Sequence, residues 1–193
     1  MSEVPTTAGI ADAVRRMHTG LDAIRDELNA ADRVMGDGDT GMTVASVVDA
    51  WHAALTQEHD DVCAMLEQLG RATRRATGSS LGSVMGIGLM AAGKSGATTT
   101  LRLIDAAASA IVERSGASPG DKTILDALLA IREAVAQGRD PVDGVREALD
   151  HFRTREARIG RARIYGAKSV GHDDPGMLAA LLLLRAARSK EVT

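Results

Sequence analysis

Apolar residues return at steps of three and four along most of this chain, and that spacing constrains its fold more than any other feature. Ile10, Val14, Met17, Leu21, Ile24 and Leu28 fall on one face of a helix. The period recurs in Val44, Val47, Val48, Trp51 and Leu55, and again in Val62, Met65, Leu66 and Leu69. No stretch alternates apolar and polar residues as a half-buried strand does. The spacing predicts one long first helix over 10–28, ended by an acidic loop. Further helices are expected over 42–57 and 60–76, after Gly78-Ser79-Ser80, over 98–114, after Asp121, after Asp140-Pro141 and over 176–188. Asp140-Pro141 and Asp174-Pro175 each read as an N-cap followed by the first helical position, where proline is tolerated. Eight helices without a strand make an all-α fold.

With 193 residues the chain suits one domain over 1–193, and 45% hydrophobic residues argue against disorder. Aromatics are only 2%, so the core must be built from Ala, Leu, Ile, Val and Met. A net charge of −3, with no stripe of Lys and Arg interleaved with aromatics, speaks against a nucleic-acid partner. Met177 to Leu184 is too short to span a bilayer, and no basic and apolar leader opens the sequence. Cys63 is the lone cysteine, consistent with a reducing compartment. A cytoplasmic protein without a membrane role is expected.

The long polar connections are 30–41, 77–80, 115–122 and 158–174. They follow the first, third, fifth and seventh predicted helices. In an up-and-down array these four loops share one end, which gathers their polar residues into one candidate site.

The first loop holds GDGDTG, Gly36 to Gly41, with Asp32 upstream of Asp37 and Asp39. Three hard oxygen donors on a pliant glycine loop suit Mg²⁺, which keeps waters and shares phosphate ligands. A helix end followed by an Asx turn fits the same residues. An EF-hand does not, because Val48 stands where its bidentate Glu is required. Ser79 and Ser80 enter a helix, where free N–H groups and the dipole attract phosphate; an ordinary serine cap is the plainer reading. Gly88 to Ser95, GLMAAGKS, matches a P-loop expression, yet no strand is expected ahead of it and the match is read as accidental. Arg158, Arg161, Arg163 and Lys168 form a basic segment able to offset anionic charge. Ser169 lacks the partners of a hydrolase triad, and His172 is expected to bond backbone rather than metal.

Four blocks in this order, LNAADRVMGDGDTG, Ser79-Ser80, PGDKTILDAL and GRARIYGAKSVGHDDPG, resemble the nucleotide-binding L subunits and L domains of dihydroxyacetone kinases. The resemblance covers nearly the whole chain. It implies an antiparallel eight-helix barrel with ADP or ATP at one rim, and two Mg²⁺ ions bridging the phosphates on Asp32, Asp37 and Asp39. It further implies nucleotide contacts from Thr40, Gly41, Thr43, Ser79, Ser80, Ile124 and Arg161, with Asp174, Pro175 and Gly176 closing over the ligand. A separate K subunit would hold a short ketose and supply acid–base chemistry. The phosphoryl donor would be ATP or a phosphotransferase-system subunit that rephosphorylates bound ADP. Thr40 replaces a family His, Thr43 a common Asn, and GAKS a Gly-Glu-Arg-Ser, which leaves substrate, partner and donor open. A fatty acid kinase-like phosphotransferase and a non-catalytic nucleotide-binding regulator are the alternative readings.

Overall fold

The computed structural model describes residues 4–56 and 59–188, with the backbone but not the side chain of Arg161. Among them are nine α-helices and one 3₁₀ segment, and no strand. The helices are α1 (Thr7–Thr19), α2 (Leu21–Asp32), α3 (Thr40–Ala54), α4 (Val62–Ala76), α5 (Ser80–Lys94), α6 (Thr100–Ser115), α7 (Ile124–Ala136), α8 (Pro141–Arg153) and α9 (Pro175–Arg188). The 3₁₀ segment, Arg161–Ser169, lies between α8 and α9 and is broken at Gly166. Gln57, the expected end of the second helix, lies outside the described residues.

The long first helix proves to be two. Gly20 leaves helical geometry at ψ 10° and ends α1, its N–H bonding to the carbonyl of Arg16 at 3.2 Å. The apolar period runs through the break because Val14 on α1 and Ile24 and Leu28 on α2 enter the same core. From α2 to α9 each helix packs on the next, and α9 returns to α2. These eight helices are the staves of the expected barrel. The additional helix, α1, packs on α3 and α9. Pro5, Ile10 and Met17 help to line an apolar cavity of about 400 Å³ shared with Trp51, Leu66, Leu89, Leu103, Leu128 and Leu183 of the staves.

Sequence chemistry accounts for the helix ends. Asp61 caps α4 by accepting the Ala64 N–H at 2.8 Å. Asp140 caps α8 through the Val142 N–H at 2.8 Å, with Pro141 in the first turn as expected. Ahead of α7 the cap is Thr123 rather than Asp121, whose carboxylate instead accepts the Ser118 N–H. The glycine-rich stretch after Ser80 is helical because it lets two backbones meet. A Cβ on Gly93 of α5 would fall 2.6 Å from the Cys63 carbonyl oxygen of α4, and one on Gly70 would fall 2.9 Å from the Met90 nitrogen. The P-loop match therefore lies within α5 up to the helix's last residue, exposed Lys94, and Ser95 is the C-cap.

Candidate functional site

One recess joins the four connections that the up-and-down arrangement brings to the same end. Asp32, Met35, Asp39, Thr40 and Thr43 come from α2, α3 and their loop. Ser79, Ser80, Leu81 and Val84 come from the start of α5, and Thr123 and Ile124 from the start of α7. Ala162 comes from the 3₁₀ segment, and Asp174, Pro175 and Gly176 from the start of α9. Four alternate staves, α3, α5, α7 and α9, thus begin at this recess, as an antiparallel barrel requires. The opening N–H groups of a helix have no acceptor within it, and its dipole is positive there. No Lys, Arg or His is among the described side chains lining the recess. The four helix starts make it receptive to an anion.

The acidic loop supplies the complementary feature. Asp32, Asp37 and Asp39 each offer a carboxylate oxygen within 4.8 Å of the others. Asp32 is buried, while Asp37 and Asp39 are exposed. The Oδ2 of Asp32 accepts the N–H groups of Asp39 at 3.0 Å and Thr40 at 3.2 Å, which folds the loop back onto its base. Gly36 is required for space, since a Cβ there would lie 2.1 Å from Asp32 Oδ1. Gly41 likewise admits the Arg25 carbonyl, and its N–H donates to Asn29 Oδ1 at 2.8 Å. Of the loop's glycines only Gly38 adopts a positive φ, 77°. The clustered hard oxygens suit a divalent cation such as Mg²⁺.

Ser79 is the N-cap of α5 as well as a wall of the recess; its Oγ accepts the Gly82 N–H at 3.0 Å. Gly41 and Asp37 are not among the residues lining the recess, although both belong to its acidic loop. Arg161 opens the 3₁₀ segment, and its side chain lies outside the described residues. Asp174 starts α9 by accepting the Met177 N–H at 2.8 Å. Burial pushes its carboxyl up to about 6, against the opposing pull of the Met177 and Gly176 N–H groups and of Lys122. Ser169 is fully buried and structural: its hydroxyl donates to the Gly166 carbonyl and accepts the Ala157 N–H. The imidazole of His172 is exposed.

Three polar residues of the PGDKTILDAL block carry roles that the motif alone did not assign. Asp126, 5% exposed, accepts the Gly120 N–H at 2.6 Å and the Thr123 N–H at 2.8 Å, completing a capping box. The Thr123-x-x-Asp126 pattern carried that signal. Thr123 itself lines the recess. Lys122, 1% exposed, has a positive φ of 63°. Burial lowers its ammonium pKa, while Asp174 and Asp173 act to raise it.

The chain is thus a helical-barrel domain with a carboxylate trio and converging helix starts at one rim. The chain belongs to the DAK2 domain family, whose pattern matches residues 34–189. It is 33% identical over 180 residues to L-erythrulose 1-kinase of Mycolicibacterium smegmatis, covering 83% of this chain and 31% of that protein. It is 28% identical over 173 residues to the ADP-binding subunit DhaL of PEP-dependent dihydroxyacetone kinase 1 of Listeria innocua, covering 86% of this chain and 87% of the relative. The dihydroxyacetone kinase of C. freundii, solved with AMP-PNP and Mg²⁺, shares the fold at a TM-score of 0.75 and 24% identity, over 96% of this chain and 34% of that one. The chain thus spans about a third of the length of the erythrulose kinase and about nine-tenths of the shorter subunit.

Proposed function

We propose that this chain is the ADP/ATP–Mg²⁺-binding component of a dihydroxyacetone-type kinase, acting as one nucleotide-binding domain over 1–193. The carrying observation is the carboxylate trio, with oxygens within 4.8 Å, beside a recess opened by four helix starts. Asp32, Asp37 and Asp39 are the proposed ligands of two Mg²⁺ ions. Bound there, Mg²⁺ would neutralise phosphate charge during in-line transfer of the terminal phosphoryl group. Thr40, Gly41, Thr43, Ser79 and Ser80 would hold phosphate oxygens, using backbone N–H groups and hydroxyls. Ile124 would pack on the apolar part of the nucleotide, Arg161 would supply a cation, and Asp174, Pro175 and Gly176 would border the closed ligand.

The acceptor in this reading is a short ketose, dihydroxyacetone or a tetrulose such as erythrulose, presented by a K-type subunit. Its docking face would include the 3₁₀ segment, where Ile164 is 83% exposed and Tyr165 and Val170 are exposed beside Arg163 and Lys168. Aromatic and apolar contacts with arginine at their edge are common interface chemistry. The lone cysteine is consistent with cytoplasmic action. No helix among the described residues is long and apolar enough to cross a membrane.

A titration and a mixing assay test the reading. The purified chain is expected to bind Mg²⁺–ADP and to melt at higher temperature in its presence, because a ligand selective for the native state opposes unfolding. Coupled ketose phosphorylation is expected only after a K-type subunit is added. Robust turnover by the chain alone would refute the split arrangement. Exchange of bound ADP for ATP, compared with its phosphorylation in place by a phosphotransferase-system protein, separates the two phosphoryl donors.

A further inference from the structure

Lys122 heads the fully buried side chains by volume, although it is charged. Its Nζ donates to the Arg155 carbonyl at 2.9 Å and to the Ser169 carbonyl at 2.8 Å. These acceptors stand at the two ends of the excursion 155–169, which carries the 3₁₀ segment. Further bonds close the same base: Arg158 N–H to the Asp121 carbonyl at 3.1 Å, and Ala157 N–H to Ser169 Oγ at 2.9 Å. The excursion delivers Ala162 to the recess, and the residues following Lys122, Thr123 and Ile124, line it directly. Lys122 does not line it. A flexible stem ending in an ammonium can serve two backbone carbonyls inside the protein, which no neutral aliphatic side chain can do. The residue also holds a left-handed backbone conformation that glycine adopts more easily, so its side chain has a reason to be there.

We propose that Lys122 is a positioning residue that fastens the 155–169 excursion against the recess, so that nucleotide affinity depends on an ammonium that does not line the site. The inference rests on the nucleotide reading for its binding consequence, whereas the fastening itself can be measured without nucleotide. Trypsin reports it directly, because Arg155, Arg158, Arg163 and Lys168 are exposed cleavage points within the excursion. Cleavage follows the population of the opened segment.

In Lys122→Met, cleavage within 155–169 is expected to accelerate by about tenfold or more, with far-ultraviolet circular dichroism unchanged. The Kd for Mg²⁺–ADP is expected to rise about tenfold at unaltered calorimetric stoichiometry. A variant that is only partly folded would lower the stoichiometry and leave Kd in place. Lys122→Gly relaxes the left-handed backbone but removes the ammonium, and should share both defects; wild-type behaviour in that variant would overturn the proposal. So would unchanged cleavage and Kd in folded Lys122→Met. Should both Lys122 variants fail to fold, Ser169→Ala, which removes the bond from Ala157, should show the same two changes in smaller measure. In the wild-type chain, Mg²⁺–ADP should slow hydrogen exchange across 155–169, and unaltered exchange there would also overturn the proposal. If the wild-type chain binds no Mg²⁺–ADP, the nucleotide reading falls, and the cleavage rates alone decide whether Lys122 fastens the excursion.

Discussion

Asp32 and Asp37 are chemically identical side chains five positions apart, yet the fold gives them different work. Asp32 is buried and satisfies the N–H groups of Asp39 and Thr40, so it builds the loop as well as facing the cluster. Asp37 is exposed and belongs to the trio. Asp37→Asn is therefore expected to abolish Mg²⁺-dependent ADP binding while leaving circular dichroism unchanged; unchanged affinity by calorimetry would remove it as a ligand. Asp174 makes a different prediction. Its carboxyl titrates at about 6 in the native state against a reference of 3.8, so between those values the folded chain holds a proton that the unfolded chain releases. Stability from this residue is greatest below about pH 4 and falls as pH rises through about 6. Asp174→Asn keeps a good cap and should flatten that decline, as read from urea midpoints measured across the interval. The acids could be found in the sequence because they sit together in one short run. The role of Lys122 could not, because its acceptors are backbone carbonyls 33 and 47 residues away, and carbonyls have no sequence signature.

At the scale of helices, local chemistry marked most of the boundaries. Asp140-Pro141 and the apolar steps of three and four indicated α8 and the other staves. The division of the first helix was hidden because Gly20 interrupts the backbone while the apolar residues on both sides still face one core. Glycine weakens a helix, so the glycines of α5 need a reason in the packing. Gly93 has one, since its missing Cβ makes room for the Cys63 carbonyl. Gly93→Val should separate α4 from α5 and cost about 1–3 kcal/mol in denaturant unfolding, in the range of other overpacked cores. One residue further, Lys94→Ala should leave Mg²⁺–ADP affinity unchanged, because Lys94 is exposed and does not line the recess. A large loss of affinity with an intact circular dichroism spectrum would revive the P-loop reading.

Across the whole molecule, alternation of helix direction sets the location of the site: every second stave starts at one end, and that end acquires the anion-receptive groups. Counting helices in sequence was enough to anticipate this, whereas the place of α1 beside a cavity depended on packing far along the chain. That cavity has a consequence for how the protein responds to compression. Apolar space that the folded barrel leaves unfilled is surrendered on unfolding, so hydrostatic pressure favours the unfolded chain; typical volume changes are about −20 to −100 mL/mol. The apolar cavity lined by Leu103, Leu128 and Leu183 contributes to that change. Trp51, the only tryptophan, lines the cavity and provides an intrinsic fluorescent gauge. Ala107→Leu should fill part of the space and move the unfolding midpoint to higher pressure. The barrel that gathers four helix starts at its rim would thus be soft to compression at its centre, and kilobar fluorescence would measure how soft.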